Sequence, residues 1–153
     1  MVRKTRLDRA PGGIQQVLGR IVILLGILWA LPLTLLGVLL ALPILICRGQ
    51  LERSREPTPA LIVSGPFADY LLARHPFGAM CAMALGHIIV AQRQGMTRQI
   101  LTHELTHVRQ AAQWGILFPF AYLGSSLWAI LRGRDAYWCN VFEIAARKAE
   151  RHG

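Results

Sequence analysis

Charged residues are scarce in this chain, acidic ones most of all. Only 16% of its 153 residues are charged, and eight Asp and Glu stand against 17 Lys and Arg, giving a formal net charge of +9. Soluble domains carry about 25% charged residues, so the shortfall indicates a membrane environment. The basic residues are scattered or flank apolar segments and form no stripe, so the charge favours anionic lipid headgroups over nucleic acid as a partner.

Cysteine is equally sparse. Cys47, Cys81 and Cys139 are far apart, and none belongs to a C-x-x-C pair. Neither a disulfide framework nor a thiolate zinc site is therefore indicated. We expect these residues to be buried or lipid-facing thiols.

The longest run without a charged residue, 21–47, predicts a transmembrane anchor. As a helix it would be about 40 Å long, enough to cross a bilayer core of about 30 Å with tilt. Pro32 and Pro43 should kink it, and a re-entrant hairpin is an alternative. A cleaved signal peptide is another, although the run is long for one and no A-x-A-like site follows it. The excess of basic residues before the run favours a cytoplasmic N-terminus with the remainder outside.

The rest of the chain predicts one small α+β domain that is mainly helical, with a short sheet. We divide the sequence into a basic N-terminal segment (1–20), the anchor (21–47), a linker (48–59) and a metal-binding domain (60–153). Hydrophobic periodicity and turn residues predict the following elements: a strand at 60–64, a helix at 67–74, a strand at 85–92, a helix from the N-cap Thr97 to about Trp114, a buried or interfacial helix within the uncharged run 116–131, and a last helix from 140 to about 151.

The second of these helices, from Thr97 to about Trp114, carries an H-E-x-x-H motif, His103-Glu104-Leu105-Thr106-His107. Histidines four residues apart lie on one helical face and can bind one zinc ion, with Glu104 beside them as a candidate base. Polar and basic residues flank the motif, which argues against a site immersed in lipid. The metal-binding face should meet water.

A catalytic zinc site usually has three protein ligands and a water molecule. The candidates for the third ligand are Asp135, Cys139, Glu143, Glu150 and His152. Glu143 is preferred because it lies in the first turn of the last helix, which could dock beside the motif helix. The alternative is a capping box, in which Glu143 bonds back to the N-terminus of its own helix at Asn140. The residues alone leave both interpretations open.

Several segments together resemble a family of small, uncharacterised bacterial membrane-associated proteins, similar to the gluzincin type of zinc metallopeptidase. The resemblance covers about residues 79–148 and is carried by H-E-L-T-H-V-R-Q at 103–110, W-G at 114–115, F-P at 118–119, A-Y-L at 121–123, N-V-F-E at 140–143 and L-G-H-I-I at 85–89. Val141 replaces a proline of the family pattern, and Ala145 stands where an acidic residue is expected. The resemblance implies Zn²⁺ held by His103, His107 and Glu143.

These features lead to the hypothesis of a membrane-anchored zinc-dependent metallopeptidase that acts on peptide or protein substrates. Glu104 would take a proton from water and pass it to the leaving amine. Candidate oxyanion donors are Tyr122, Tyr137, Arg134 and His87. The alternative is a non-enzymatic membrane protein, such as a chaperone or assembly factor, with a structural or degenerate metal site. The expected location is the bacterial inner membrane, as a single-pass protein with its domain on the periplasmic side; its oligomeric state is not readable.

Overall fold

The computed structural model describes residues 13–55, 58–76 and 78–151. It is an α+β structure, mainly helical, as predicted. In chain order the elements are α1 (Gly13–Trp29), α2 (Leu31–Ile46), β1 (Gln50–Ser54), β2 (Ala60–Ser64), α3 (Pro66–Ala73), β3 (Ala82–Leu85), β4 (Ile88–Ala91), α4 (Arg98–Trp114), a 3₁₀ turn (Gly115–Leu117), α5 (Phe118–Leu131) and α6 (Val141–Glu150).

The apolar segment predicted as a single anchor forms two helices. Val17–Trp29 of α1 and Leu31–Ile46 of α2 are bent by 64° relative to each other. The break falls at Ala30, just before the helix start that contains Pro32, where proline is tolerated because it lacks an amide donor. Helix α1 begins at Gly13, so the end of the predicted basic segment 1–20 is helical. Residues 1–12 of that segment lie outside the described residues.

The four strands form one mixed sheet in the order β1-β2-β4-β3. Strand β1 pairs antiparallel with β2, β2 pairs parallel with β4, and β4 pairs antiparallel with β3. The prediction of a linker over 48–59 is therefore wrong for Gln50–Ser54, which forms an edge strand in register with Ala60–Ser64. Sequence patterns do not predict this strand, because its residues are mostly exposed and polar and show no alternation of apolar and polar side chains.

The strand predicted over 85–92 begins later than expected, at Ile88. Strand β3 ends at Leu85, and β4 begins at Ile88, with Gly86 and His87 forming the turn between them. Gly86 has φ +58°, a left-handed conformation that glycine adopts without the Cβ penalty of other residues. His87 consequently lies in a hairpin turn and not on a strand face.

Helices cover both faces of the sheet, which explains why every residue of β4 is buried. Helices α2 and α3 enclose one core cluster with the sheet, centred on Ile44, Leu72 and Val90. Helix α4 encloses the other, in which Leu105 and Val108 pack on Ile89. Helix α2 is thus a structural layer of the domain, although its sequence alone predicts an anchor.

Helix α4 has the predicted bounds. Thr97 Oγ1 accepts a hydrogen bond from the Ile100 amide at 3.2 Å, which caps its N-terminus. Gly115, with φ +56°, follows its last residue. The predicted helix at 67–74 is confirmed within one residue at each end, and the last helix begins after Asn140 as predicted.

Two parts of the described chain are apolar enough to cross a membrane by length and composition. One is the continuous 34-residue helix Arg98–Leu131, which comprises α4, the 3₁₀ turn and α5. The other is the bent pair of α1 and α2, which meets these criteria when both helices count as one span.

Candidate metal centre

His103, His107 and Glu143 converge at the interface between α4 and α6. The two Nε2 atoms lie 3.2 Å apart. Glu143 Oε1 lies 3.2 Å from His107 Nε2, and Oε2 lies 3.3 Å from His103 Nε2. The three side chains form a group that could hold a metal ion.

Helix capping places Glu143. Asn140 Oδ1 accepts from the Phe142 amide at 2.9 Å, and Asn140 Nδ2 donates to the Tyr122 carbonyl at 3.0 Å and to Ser126 Oγ at 2.8 Å. These bonds fix the start of α6 against α5. The capping-box alternative is wrong, because the Asn140 amide donates to the Tyr137 carbonyl and the Glu143 carboxylate turns toward the histidines.

The Gln110 side chain determines which ring nitrogen of His107 carries the proton. Gln110 Nε2 donates to the Phe142 carbonyl at 3.0 Å. Since a carbonyl can only accept, the amide cannot be reversed, and Oε1 must face His107 Nδ1, 2.8 Å away. Nδ1 therefore carries a proton, and in the neutral imidazole Nε2 presents its lone pair to the group.

His103 also has a hydrogen-bond acceptor at its Nδ1 atom. Its Nδ1 lies 3.3 Å from Glu150 Oε2, on the last turn of α6. A carboxylate accepts and does not donate, so it favours the proton on Nδ1 and the lone pair on Nε2. Hydrogen bonds of this kind orient metal-binding histidines in proteins.

The donor set fits a bound cation. Two imidazole lone pairs and a carboxylate that face one another repel, unless a metal ion or a proton lies between them. Three donors of a tetrahedral zinc site with bonds of about 2.0–2.1 Å lie about 3.3 Å apart, which agrees with the separations of 3.2–3.3 Å measured here. Glu143 Oε2 is buried and accepts no hydrogen bond from the described residues.

The surroundings of Glu143 keep it ionised. Burial by itself would raise the pKa of this carboxyl, but hydrogen bonds from the two histidines in their protonated form and from the Tyr122 hydroxyl, which donates to Oε1 at 2.8 Å, hold the pKa well below its ordinary value. Arg147 Nη1 lies 3.7 Å from Oε2, one helical turn further along α6. Burial, and next the Glu143 charge, raise the pKa of Tyr137 to about 12, so its hydroxyl stays protonated.

Glu104 is buried beside the group and does not belong to it. Its carboxylate accepts a hydrogen bond from the Ala84 amide of the edge strand β3 and interacts electrostatically with His103 and His107. A carboxylate that is next to the donors and anchored to another element suits a base better than a ligand.

The site is nearly enclosed by protein. The side chains of His103, His107 and Glu143 are 13%, 11% and 4% exposed. Phe118 and Tyr122 of α5 cover His107, with ring centroids 6.4 and 6.3 Å from the imidazole.

Among the described residues, the other candidate ligands and oxyanion donors named from the sequence are not part of the group that could hold a metal ion. Asp135 Oδ1 accepts from the Tyr137 and Trp138 amides and so stabilises a turn. His87 Nδ1 lies 2.6 Å from the Pro59 carbonyl, at the hairpin turn. Cys139 is a free thiol, and His152 lies outside the described residues. Of the candidate oxyanion donors, Tyr122 and Tyr137 contact Glu143; Arg134 is exposed.

Gln110 had no role assigned from the sequence, and Glu150 was named there only as a candidate third ligand, not as the hydrogen-bond partner of His103. Gln110 follows His107 by three residues, which places both on one face of α4. Glu150 follows Glu143 by seven residues, two turns along α6, so helical spacing was the signal that could have identified it. No protein-family model, curated protein or solved structure matches the chain.

Proposed function

We propose that the chain is a membrane-anchored zinc metallopeptidase of the gluzincin type. The observation that carries the proposal is the convergence of three donors from two helices, with lone pairs directed at one point and the Glu104 carboxylate beside them. A zinc ion held there would supply Lewis acidity, which lowers the pKa of a water molecule and polarises a carbonyl.

Glu104 acts as the general base in this proposal. Its carboxylate would receive a proton from the attacking water and deliver it to the leaving amine. The Ala84 amide would stabilise the charged form of this carboxylate. Tyr122 and Tyr137 are the candidate hydrogen-bond donors to the developing oxyanion, since the Tyr122 hydroxyl donates to the Glu143 carboxylate and Tyr137 interacts electrostatically with it.

Membrane association follows from the apolar surface of α1 and α2. Leu24, Leu25 and Leu28 are largely exposed on α1 and belong to a run without charged residues. We assign the exposed apolar surface of these two helices to the bilayer, while the buried face of α2 packs on the sheet of the domain that carries the metal site. The bacterial inner membrane and a periplasmic domain remain part of the proposal.

A second candidate function has one observation in its favour. Structural zinc sites are closed, whereas catalytic sites keep an open position, and the ligands of this site are nearly enclosed. A non-enzymatic membrane protein with a structural metal site is therefore the alternative.

Metal content and turnover of the full chain in detergent separate the two functions. We expect about one zinc per chain, lost in His103→Ala and Glu143→Ala and kept in the control His75→Ala. Glu104→Gln should retain zinc and lower peptide hydrolysis by about 10²–10⁴-fold, with Glu52→Gln on the exposed strand β1 as the matched control. Zinc binding with no hydrolysis by the parent protein, and unfolding on chelation, would support the structural alternative.

A further inference from the structure

Helix α5 presents its apolar side chains to the outside. Phe120, Leu123, Leu127 and Leu131 recur every three or four residues and are 71%, 62%, 56% and 70% exposed. This spacing places them along one face of the helix. Ala129 is the one residue of α5 that is fully buried.

The inner face of α5 combines the apolar Phe118 and Ala129 with hydrogen-bonded polar side chains. Ser126 Oγ donates to the Ala136 carbonyl at 3.0 Å, and Ser125 Oγ accepts from the Val141 amide at 3.0 Å. Tyr122 donates to Glu143 on the same side. The polar side chains of α5 bond inward and its outer face is leucine-rich, which differs from a helix that faces water and matches a helix whose surroundings cannot supply hydrogen bonds.

A lipid bilayer fits this face better than a protein partner. At the end of α5 the Arg132 guanidinium lies 4.4 Å from the centroid of the exposed Trp128 ring, and Arg134 follows two residues later. Tryptophan and arginine together are typical of the boundary between acyl chains and anionic headgroups. The 14 residues of α5 rise about 21 Å, short of the bilayer core of about 30 Å, so α5 would enter one leaflet without crossing.

Contact of the outer face of α5 with lipid bears on where a substrate would reach the metal site. Phe118 and Tyr122 of the same helix cover His107, and the diameter of a helix is only about 10–12 Å. The metal site therefore lies about one helix diameter from the lipid-facing surface. We propose that the outer face of α5 inserts into the bilayer and that the site acts on polypeptide segments held at that membrane surface; the second half rests on the proposed peptidase function.

Spin-label accessibility of the full chain in phosphatidylethanolamine–phosphatidylglycerol vesicles tests the membrane contact. Labels are placed at Leu127→Cys on α5 and at Gln99→Cys on the exposed first turn of α4, after Cys47, Cys81 and Cys139 are replaced by Ser. We expect the label at 127 to collide more often with oxygen than with a water-soluble nickel chelate, and the label at 99 to show the reverse. Nickel access at 127 would overturn the contact, and so would shielding from both quenchers, which indicates a second copy or another protein.

The substrate class is tested with one cleavable peptide, free in solution or tethered to a lipid in the same vesicles. We expect cleavage of the tethered form to be at least about tenfold faster, because insertion raises its effective concentration at the site. Leu123→Asp combined with Leu127→Asp should reduce this ratio toward one while the zinc content is unchanged. A ratio near one in the parent protein overturns the substrate class. If neither peptide is cleaved, the peptidase function fails while the spin-label result still decides the membrane contact.

Discussion

Gln110 Oε1 lies 2.8 Å from His107 Nδ1, while the amide nitrogen of the same side chain donates to the Phe142 carbonyl. One side chain of α4 thus fixes the ring nitrogen through which His107 faces the site. It also holds the first turn of α6, which begins at Val141 and carries Glu143. Gln110 couples two candidate metal ligands, His107 and Glu143, that lie on different helices.

Replacing Gln110 by Leu should weaken zinc binding without removing a ligand. The substitution deletes both hydrogen bonds at similar side-chain size, so the His107 ring and the first turn of α6 lose their common support. We expect the zinc affinity to fall about 10–100-fold, measured by competition with a zinc-chelating dye in detergent. Gln113→Leu, at an exposed position one turn later, is the control. An affinity within twofold of the parent protein would contradict the positioning role.

Gln110→Glu separates the two hydrogen bonds. The carboxylate can still accept from His107 Nδ1, but it brings a second acceptor to the Phe142 carbonyl. We expect an affinity between those of the parent protein and Gln110→Leu. An affinity as low as that of Gln110→Leu would assign the effect to the position of α6 and not to the tautomer of His107.

Tyr122→Phe tests the hydrogen bond to Glu143, the third candidate ligand. The phenyl ring keeps the stacking on Phe142, with ring centroids 6.2 Å apart, while Glu143 Oε1 loses a donor 2.8 Å away. With less support for its charged form, Glu143 should bind zinc up to about tenfold more weakly, as read by the same dye competition. The exposed Tyr70→Phe on α3 is the control. An unchanged zinc affinity together with a large loss of hydrolysis would place the hydroxyl at the substrate instead.

Much of the site was predictable because helical spacing is local. Two histidines four residues apart share a face of α4 wherever that helix lies, and the N-cap Asn140 marks the turn that holds Glu143. The direction of the Glu143 carboxylate was not predictable. A capping box satisfies the same residues locally, and the competing partners lie 36 and 40 residues earlier in the chain.

Contacts between distant segments account for the other differences. The polar strand β1 is specified by its pairing with β2, and its own residues show no apolar alternation. Four apolar residues in a row predict burial of β4, but Gly86 decides where that strand begins. The sequence of α2 is typical of a membrane segment. Only the structure shows that its small residues, among them Gly37 and Ala41, are buried against the sheet.

Asn140→Ala should destabilise the domain more than the loss of an ordinary helix cap. Asn140 is fully buried, and the change leaves the Phe142 amide without its acceptor and removes one of the two partners of Ser126 Oγ. Losing a cap costs about 1 kcal/mol, and a buried polar group left unpaired adds about 1–3 kcal/mol. Thr97→Ala, which removes the exposed cap of α4, is the matched control for the cap alone. Equal shifts of the thermal unfolding midpoint in detergent for both variants would show that the buried network adds nothing.

Gly86→Ala should loosen the β3–β4 hairpin from α2. A Cβ at this position would lie 2.4 Å from Thr34 N and Thr34 Oγ1, and the backbone has φ +58°. Gly133 has a similar φ of +66°, and a Cβ there meets no described atom within 4 Å. Gly133→Ala therefore measures the destabilisation caused by the left-handed conformation alone, about 1–2 kcal/mol. The crowding at Gly86 should add about 1–3 kcal/mol to this destabilisation in Gly86→Ala.

The same substitution should also affect activity. Because β3 carries the Ala84 amide that interacts with Glu104, Gly86→Ala should lower hydrolysis more than zinc affinity. Identical unfolding midpoints for the two variants would mean that the hairpin shifts away from Thr34 at no cost, and that α2 does not position the base.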